Sequence, residues 1–136
     1  MKVEIVTPVG IKYTGEAQGV IAPGLSGDLG ILPGHQALLS GLRTGVCTVQ
    51  LGPHNDLPLV VDGGYVHVVD GNVVTITTEL CEKAEDVVVD ATRKQLEEAN
   101  VALSATRDDV STELWKVRKR AVDLAETRLR VASMRP

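Results

Sequence analysis

The chain has almost no aromatic residues. Of its 136 positions only Tyr13, Tyr65 and Trp115 are aromatic, and phenylalanine is absent. A core must therefore be built from valine, leucine and isoleucine, and the β-branched members of that set favour strands. Hydrophobic residues make up 43% of the sequence, a proportion typical of folded rather than disordered proteins.

The sequence also lacks the motifs of several kinds of site. Its two cysteines, Cys47 and Cys81, form no Cys-x-x-Cys pair, and the three histidines share no ligand spacing with them or with one another. A zinc site needs close pairs of ligands, so we expect no metal, and we interpret the cysteines as buried free thiols. No serine or cysteine stands in a recognisable nucleophile motif, so we expect no enzyme.

Long apolar runs are missing too. No stretch of 18 apolar residues occurs, so no transmembrane helix is predicted. From Met1 the sequence passes directly into a strand pattern, without a signal peptide or an arginine-rich transit sequence. We therefore expect a cytosolic, reduced protein.

Charge is low overall but unevenly distributed. The net charge is −4, from 14 basic and 18 acidic side chains, which argues against a nucleic-acid partner. Residues 1–86 hold four basic and ten acidic side chains, whereas residues 107–136 hold eight basic and five acidic ones. This asymmetry indicates two surfaces with different partners.

Glycine and proline divide the chain into two parts. All 13 glycines lie at or before Gly71, and after Pro58 the only proline is Pro136. Residues 1–86 alternate short apolar runs with turns, which predicts an all-β sandwich or barrel. Residues 87–136 lack such breaks, which predicts a C-terminal antiparallel hairpin of two helices. The predicted class is α+β.

Helical periodicity predicts the details of this hairpin. Asp90 is expected to cap a first helix that begins at Ala91, and Asp109 or Ser111 to cap a second that ends near Ser133. The expected contact stripes are Leu96, Ala99, Leu103 and Thr106 on the first helix, and Val110, Leu114, Val117, Ala121, Leu124 and Val131 on the second. Alanines leave little apolar area in this seam, so we expect a weakly held hairpin.

The most distinctive stretch runs from Pro23 to His35 and contains four glycines and two prolines. Its glycine spacing fits neither a phosphate-binding loop nor a dinucleotide-binding turn. We expect two tight turns around a very short strand, with Asp28 and His35 on the turns. Three side chains of the stretch are expected to reach the core: Leu29, Ile31 and Leu32.

The run Gly27-Asp28-Leu29-Gly30-Ile31-Leu32-Pro33-Gly34-His35 resembles the epsilon subunit of F-type rotary ATP synthases, as do Thr7-Pro8 before it and Gly63-Gly64 after it. The resemblance continues through the helical tail. It implies a non-catalytic rotor subunit of the central stalk, which couples the catalytic head to the c-ring during ATP synthesis driven by an ion gradient. The implied partners are the gamma subunit, the c-ring and the catalytic alpha and beta subunits. Membrane association would come only through the complex, at the cytoplasmic face of the bacterial inner membrane, although a chloroplast-encoded subunit fits as well.

The resemblance also assigns roles to residues. Asp28 matches the acidic position at which the family contacts the c-ring, and His35, on the neighbouring turn, is expected to contact the ring as well. The second helix carries a set of cations that we call the basic strip: Lys116, Arg118, Lys119, Arg120, Arg128 and Arg130. Lys116 and Arg120 repel one another at i,i+4, so the strip is not present for helix stability. Its residues alone leave open a solvated face or a docking surface. The resemblance implies docking on an acidic segment of the beta subunit, which inhibits ATP hydrolysis.

A second motif concerns ATP as a regulatory ligand. Residues 89–94, Val-Asp-Ala-Thr-Arg-Lys, resemble the Ile/Leu-Asp-x-x-Arg-Ala motif by which some bacterial epsilon subunits bind ATP. Asp90 and Arg93 match, whereas Lys94 replaces a small residue and is expected to crowd the site. A helix cap also explains Asp90, so ATP binding stays open and no other cofactor is expected.

Two further readings remain open on the sequence. One is a free-standing cytosolic β-domain adaptor whose helices form a coiled coil with an unrelated partner. The other is a small-molecule sensor that uses the hairpin as a clamp.

Overall fold

The computed structural model describes residues 1–70, 72–106 and 112–134. Its ten strands are β1 (Lys2–Thr7), β2 (Gly10–Glu16), β3 (Gly19–Gly24), β4 (Gly27–Ile31), β5 (Leu38–Gly41), β6 (Thr44–Gly52), β7 (Asn55–Asp62), β8 (Tyr65–Val69), β9 (Val73–Thr77) and β10 (Cys81–Lys83). A short 3₁₀ helix (Ala84–Asp86) leads to α1 (Val89–Ser104) and α2 (Glu113–Ser133). The predicted order of strands followed by two helices is confirmed.

The strands form two five-stranded sheets that enclose one core. The first sheet has the order β2-β1-β9-β8-β5, and the second has the order β10-β7-β6-β3-β4. β1 and β9 run parallel, and the other described neighbours run antiparallel. Side chains from both sheets share the core cluster, so the fold is the predicted β-sandwich.

The core follows from the residue types available. Its largest fully buried side chains are valines, isoleucines and one leucine, with Ile5 and Ile76 from the first sheet and Ile31 and Leu59 from the second. In most strands they alternate with outward residues, as the two-residue period of a strand requires. In β7 the consecutive residues Leu59, Val60 and Val61 are all buried, because Val60 packs against Val131 of α2 on the other face of the strand. Cys47 and Cys81 are buried and free, as predicted.

The Pro23–His35 stretch forms a hairpin of β3 and β4 rather than two turns around an isolated short strand. Asp28 lies in β4 opposite Pro23, not on a turn. Ile31 is fully buried and Leu29 is partly buried, but Leu32 is 60% exposed. Positions 29 and 31 share the inner face of β4, so the period of two excludes Leu32 from the core.

The two helices lie antiparallel on one side of the sandwich. Val89 and Arg93 of α1 border the same cavity as Leu129 and Ala132 of α2, while the other end of α1 meets Arg118. α2 packs on β6 and β7 of the second sheet. It is therefore the helix that joins the hairpin to the sandwich.

The first helix begins earlier than predicted. Its N-cap is Val88, without a side-chain cap bond, and Asp90 lies inside the first turn. The Thr92 N–H and hydroxyl both donate to the Val88 carbonyl, at 2.9 and 2.8 Å, so the first turn is already closed before Asp90 could cap it. The prediction of Asp90 as N-cap is wrong.

The second helix is capped by Thr112, whose hydroxyl accepts from the Trp115 N–H at 3.3 Å. The predicted caps Asp109 and Ser111, and the predicted stripe residue Val110, lie outside the described residues.

The predicted contact stripe of α1 is confirmed: its members are half-buried and follow the buried Thr92. The stripe of α2 is wrong in part, because Leu114 is 47% and Val117 is 64% exposed, and Ala121 is exposed as well. Val131 is buried as predicted, and the other buried residues are Val122, Ala125 and Thr127. Since α2 contacts both a sheet and a helix, its buried arc is wider than a single-partner stripe.

Candidate functional site

The basic strip divides into residues that bind the rest of the protein and residues that point away from it. Three arginines, Arg118, Arg120 and Arg128, hold α2 to other elements. The remaining three members are Lys116, Lys119 and Arg130. The strip is therefore not one uniform face.

Arg120 binds the end of β7. Its Nε–H donates to Asp62 Oδ1 at 2.8 Å, and its Nη2 donates to the Asp62 carbonyl oxygen at 3.1 Å. The first of these bonds raises the pKa of the Arg120 guanidinium above its ordinary value. The Asp62 side chain is only 13% exposed, so the pair lies partly inside the interface.

Asp62 is held in place independently of Arg120. The Thr44 hydroxyl donates to its Oδ1 at 2.6 Å, and its own N–H donates to Thr78 Oγ1 at 2.9 Å. Gly63 and Gly64 follow with φ of +71° and +97°, angles that favour glycine. A Cβ on Gly64 would lie 1.8 Å from the Thr77 carbonyl oxygen, so this tight turn requires glycine.

Arg128 binds Glu82 of β10 at two points. Nε donates to Oε1 at 2.7 Å, and Nη2 donates to Oε2 at 3.3 Å. The two side chains are 21% and 23% exposed, which makes this the most buried ion pair between side chains in the described part of the chain. Two-point binding fixes orientation as well as adding affinity.

Arg118 ties the two helices together. Its Nη1 donates to the Ala102 carbonyl oxygen at 3.0 Å and to the Thr106 hydroxyl. The last four carbonyl groups of a helix have no partner within it, and the C-terminal end of its dipole attracts cations. The guanidinium therefore caps the end of α1.

The other members of the strip bond locally or face solvent. Lys116 lies 3.6 Å from Glu113, and Lys119 donates to Asp123 at 2.6 Å. The Asp123 hydrogen bond raises the pKa of Lys119. Arg130 is exposed. Pairs of this kind on a helix surface are worth only about 0.3–0.5 kcal/mol.

The predicted c-ring residues lie on and after β4. Asp28 accepts from Arg43 Nη2 at 2.6 Å, and Arg43 Nη1 donates to the Gly24 carbonyl oxygen at 2.6 Å. His35 closes a turn through its N–H, which donates to the Leu32 carbonyl oxygen at 3.0 Å. The structure thus brings Asp28 together with Arg43, a residue that the sequence did not single out. Leu25 and Leu32 are 70% and 60% exposed in this part of the chain.

The residues of the ATP motif are solvent-exposed. Asp90 and Arg93 lie 3.7 Å apart, with side chains 97% and 70% exposed. Arg93 and Val89 border a cavity of about 290 Å³ whose other side is formed by Leu129, Ala132 and Ser133 of α2. Lys94 borders a different cavity, with Glu97, Glu98, Val101 and Ala102, so it does not fill the one beside Arg93.

The outer face of the first sheet carries apolar residues that sequence reasoning missed. Leu39 is 68%, Tyr65 is 47%, Val69 is 38% and Val73 is 39% exposed. Val69 and Val73 are opposite one another in the β8–β9 ladder, and Leu39 is opposite His67. The sequence of β8, Tyr65–Val69, could have revealed this group, because most of its residues on both faces of the strand are apolar. This group is therefore a candidate interaction surface.

Among the described residues there is neither a metal site nor a membrane-spanning helix. No group of histidine, cysteine or acidic side chains there could hold a metal ion. No helix there is long and apolar enough to cross a membrane.

Comparison with known proteins places the chain among rotary ATP synthase subunits. The model of the beta-sandwich domain of the ATP synthase delta/epsilon chain matches residues 1–84. The ATP synthase epsilon chain of Brevibacillus brevis is 36% identical over 104 residues, which are 76% of this chain and 78% of that relative. The chloroplastic ATP synthase epsilon chain of Phaeodactylum tricornutum is 32% identical over 127 residues, or 88% of this chain and 92% of the relative.

A solved structure has the same fold along nearly the whole chain. It is a chain of the mitochondrial ATP synthase of Euglena gracilis, determined as an assembly of OSCP, F1 and c-ring. The TM-score is 0.79 at 22% identity, over 96% of this chain and 79% of that one. The likeness extends the shared architecture from the sandwich to the helices.

Proposed function

The chain belongs to the epsilon-chain family of F-type ATP synthases, and on this basis we propose that it joins the catalytic head to the c-ring and that its helical hairpin restrains ATP hydrolysis. An epsilon chain is an accessory subunit without catalytic activity of its own. One observation carries the proposal. The family match covers the sandwich, residues 1–84. α2 is bound to that sandwich by ion pairs of Arg120 and Arg128, and an acidic partner could bind the same two arginines.

Membership of the family removes the reading as a free-standing adaptor, because the relatives are subunits of a membrane-bound complex. We propose that this chain is likewise peripheral, at the cytoplasmic face of a bacterial inner membrane. Contact with the membrane would come through the complex alone, which supports ATP synthesis driven by ion transport.

The sandwich is proposed as the anchor on the gamma subunit. Its first sheet leaves Leu39, Tyr65, Val69 and Val73 open to solvent, while the second sheet is covered by α2. Burial of such apolar side chains is the main favourable term in association. Attachment through the first sheet would leave the hairpin side free to move.

Contact with the c-ring is proposed through Asp28, Arg43 and His35. The Asp28 carboxylate is 60% exposed and already paired with Arg43, so a basic loop of the ring would share or replace that partner. A charge-assisted hydrogen bond in this position fixes orientation. Arg43 would then be free to bind an acidic or carbonyl group of the same loop.

The restraint is proposed as a population shift between two positions of the hairpin. In the folded position α2 rests on β6 and β7. In the extended position the basic strip, with Arg120 and Arg128 released from the sandwich, would meet an acidic segment of the beta subunit next to alpha. A partner biases such an equilibrium only if it binds one state better than the other.

The proposed function is tested with an epsilon-depleted ATPase head. The full chain and a version that ends at Asp86 are added separately, and both binding and hydrolysis are measured. We expect both to bind and only the full chain to inhibit. If both bind and neither inhibits, the hairpin is not a restraint, and if neither binds, the anchor proposal fails.

ATP as a ligand of the folded hairpin is a second candidate, supported by the cavity beside Arg93. Equilibrium dialysis at millimolar ATP should retain nucleotide on the full chain and lose it in R93Q, while K94Q should behave as the full chain does. No retention on the full chain would rule this candidate out.

A further inference from the structure

The interface between α2 and the sandwich contains two carboxylates that face two arginines of the basic strip. Asp62 and Glu82 end up beside Arg120 and Arg128, across sequence separations of 58 and 46 positions. Arg120 and Arg128 are eight residues apart on α2, or about 12 Å along the helix axis. The helix is thus tied to the sandwich at two well-separated points.

Within the sandwich, Asp62 makes hydrogen bonds that do not involve the helix. Thr44 donates to the Asp62 carboxylate, Thr78 accepts from the Asp62 N–H, and the Gly63-Gly64 turn exposes the Asp62 carbonyl oxygen toward the helix. Because the Asp62 side chain is already held in place, it loses little conformational entropy when Arg120 binds. More of the energy of the Arg120–Asp62 interaction is then available to hold α2 on the sandwich.

Opening of the hairpin would leave all four charges without these partners. The Glu82–Arg128 pair is the more enclosed, since both side chains are about four-fifths buried. The apolar part of the same interface is small, with Val131 packed against Val60 and Ala84, and with Leu124, Val46 and Leu80 partly buried around them. The two ion pairs therefore add specific polar contacts to this apolar one.

We propose that Asp62 and Glu82 form an internal acidic docking site that holds Arg120 and Arg128 and thereby sets how readily the hairpin leaves the sandwich. In the folded position, these two carboxylates bind the same arginines that an external acidic partner would have to bind. The part of this inference that concerns the partner rests on the proposed function, whereas the docking site itself concerns the isolated chain alone.

We expect removal of the two carboxylates and removal of the two arginines to change inhibition of the ATPase head in opposite directions. Loss of the carboxylates frees the arginines, so it should both loosen the hairpin and strengthen inhibition of the ATPase head. Loss of the arginines should loosen the hairpin equally but weaken inhibition. A tie that served only the stability of the fold would not produce this difference in sign.

The test uses the full-length chain with the variants D62N/E82Q and R120Q/R128Q. The control is E4Q/D70N, which removes the same amount of charge as D62N/E82Q from β1 and from the turn after β8. Hydrogen–deuterium exchange is followed in peptides of α2. We expect exchange about tenfold faster in both test variants, equal to about 1.4 kcal/mol, and unchanged exchange in the control.

Salt provides a second measurement that does not depend on how well a variant folds. Exchange of α2 in the unaltered chain should quicken several-fold between low salt and 0.5 M salt, because ionic ties are screened. The same change should have less effect on D62N/E82Q. If D62N/E82Q exchanges like the control and α2 of the unaltered chain is insensitive to salt, the inference is overturned.

Inhibition of the epsilon-depleted head then separates the inference from the proposed function. Faster exchange with stronger inhibition by D62N/E82Q supports both. Faster exchange with no inhibition by any version supports the internal docking site and contradicts the restraint.

Discussion

The sandwich and the hairpin are held together by different kinds of interaction. Most of the fully buried apolar side chains, such as Ile5 and Ile76, lie in the strands. In α1 only Thr92 is buried, and α2 depends on a few small apolar side chains together with the ties of Arg120 and Arg128. Apolar burial holds the sandwich together without specific charged partners. In an ion pair, by contrast, an arginine can exchange one carboxylate partner for another. This difference is what the proposed function requires of a fixed sandwich and a hairpin that can be released from it.

The chain supplies a separate reporter for each region. Trp115, its one tryptophan, lies half-buried in α2, and Cys47 is buried in the sandwich core. Fluorescence of the indole therefore follows the hairpin, and labelling of the thiol follows the sandwich.

The largest effect is expected from the sandwich core. Replacement of Ile76 with alanine should lower the free energy of unfolding by about 3–4 kcal/mol, because Ile76 is fully buried between β1 and β8 and its loss leaves a cavity. Urea unfolding followed by circular dichroism measures it. V73A in the same strand, at a position 39% exposed, is the control and should cost less than about 1 kcal/mol. Equal costs for the two would contradict this account of the core.

A smaller and more local effect is expected from Val131, which is fully buried against Val60 and Ala84. V131A should weaken attachment of α2 by about 1–2 kcal/mol, from two lost methyl groups and a small cavity. The Trp115 transition should move to lower urea while labelling of Cys47 stays unchanged. If both reporters moved together, the two regions would unfold as one unit.

The smallest effect is expected for the thiols when only the hairpin is perturbed. Burial raises the pKa of Cys47 to about 12 and that of Cys81 to about 11, so at pH 8 both folded thiols are protonated and unreactive. Labelling at pH 8 should therefore be as slow in V131A as in the unaltered chain, within about twofold. Faster labelling of Cys81 alone would show that β10 opens together with α2.

The raised pKa values of Cys47 and Cys81 also make the stability of the fold depend on pH. Unfolded thiols ionise at about pH 8.5, whereas the folded ones stay protonated until much higher pH. Stability contributed by the buried thiols is therefore present below that value and is lost as pH rises above it. The urea midpoint should fall between pH 8 and pH 10, and less so in C47A relative to its own value at pH 8.

Much of the fold could be predicted because its signals are local. Short apolar runs alternating with turns predicted the strands, and the absence of glycine after Gly71 predicted the helices. The capping error at Asp90 arose because a residue with a good capping side chain stood two positions after the actual N-cap, Val88. Local capping propensity does not show at which of two neighbouring residues a helix begins.

The ties of the hairpin could not be predicted, since they join residues distant in sequence. Nothing near Asp62 or Glu82 marks them as partners of Arg120 and Arg128. The face of α2 was also misjudged at Leu114 and Val117, because periodicity reports an apolar stripe but not how many elements the helix contacts. Asp28 was picked out through its family motif, but its partner Arg43 was not.

Native-state hydrogen exchange of the full chain in low urea tests the difference between the two regions most directly. Each amide reports the free energy of the opening that exposes it. We expect amides of α2 to exchange through an opening of lower free energy than amides of β6 and β8, and that opening to become easier with salt. If α2 and the strands exchanged through one common opening with the free energy of global unfolding, the hairpin would not be a separable arm.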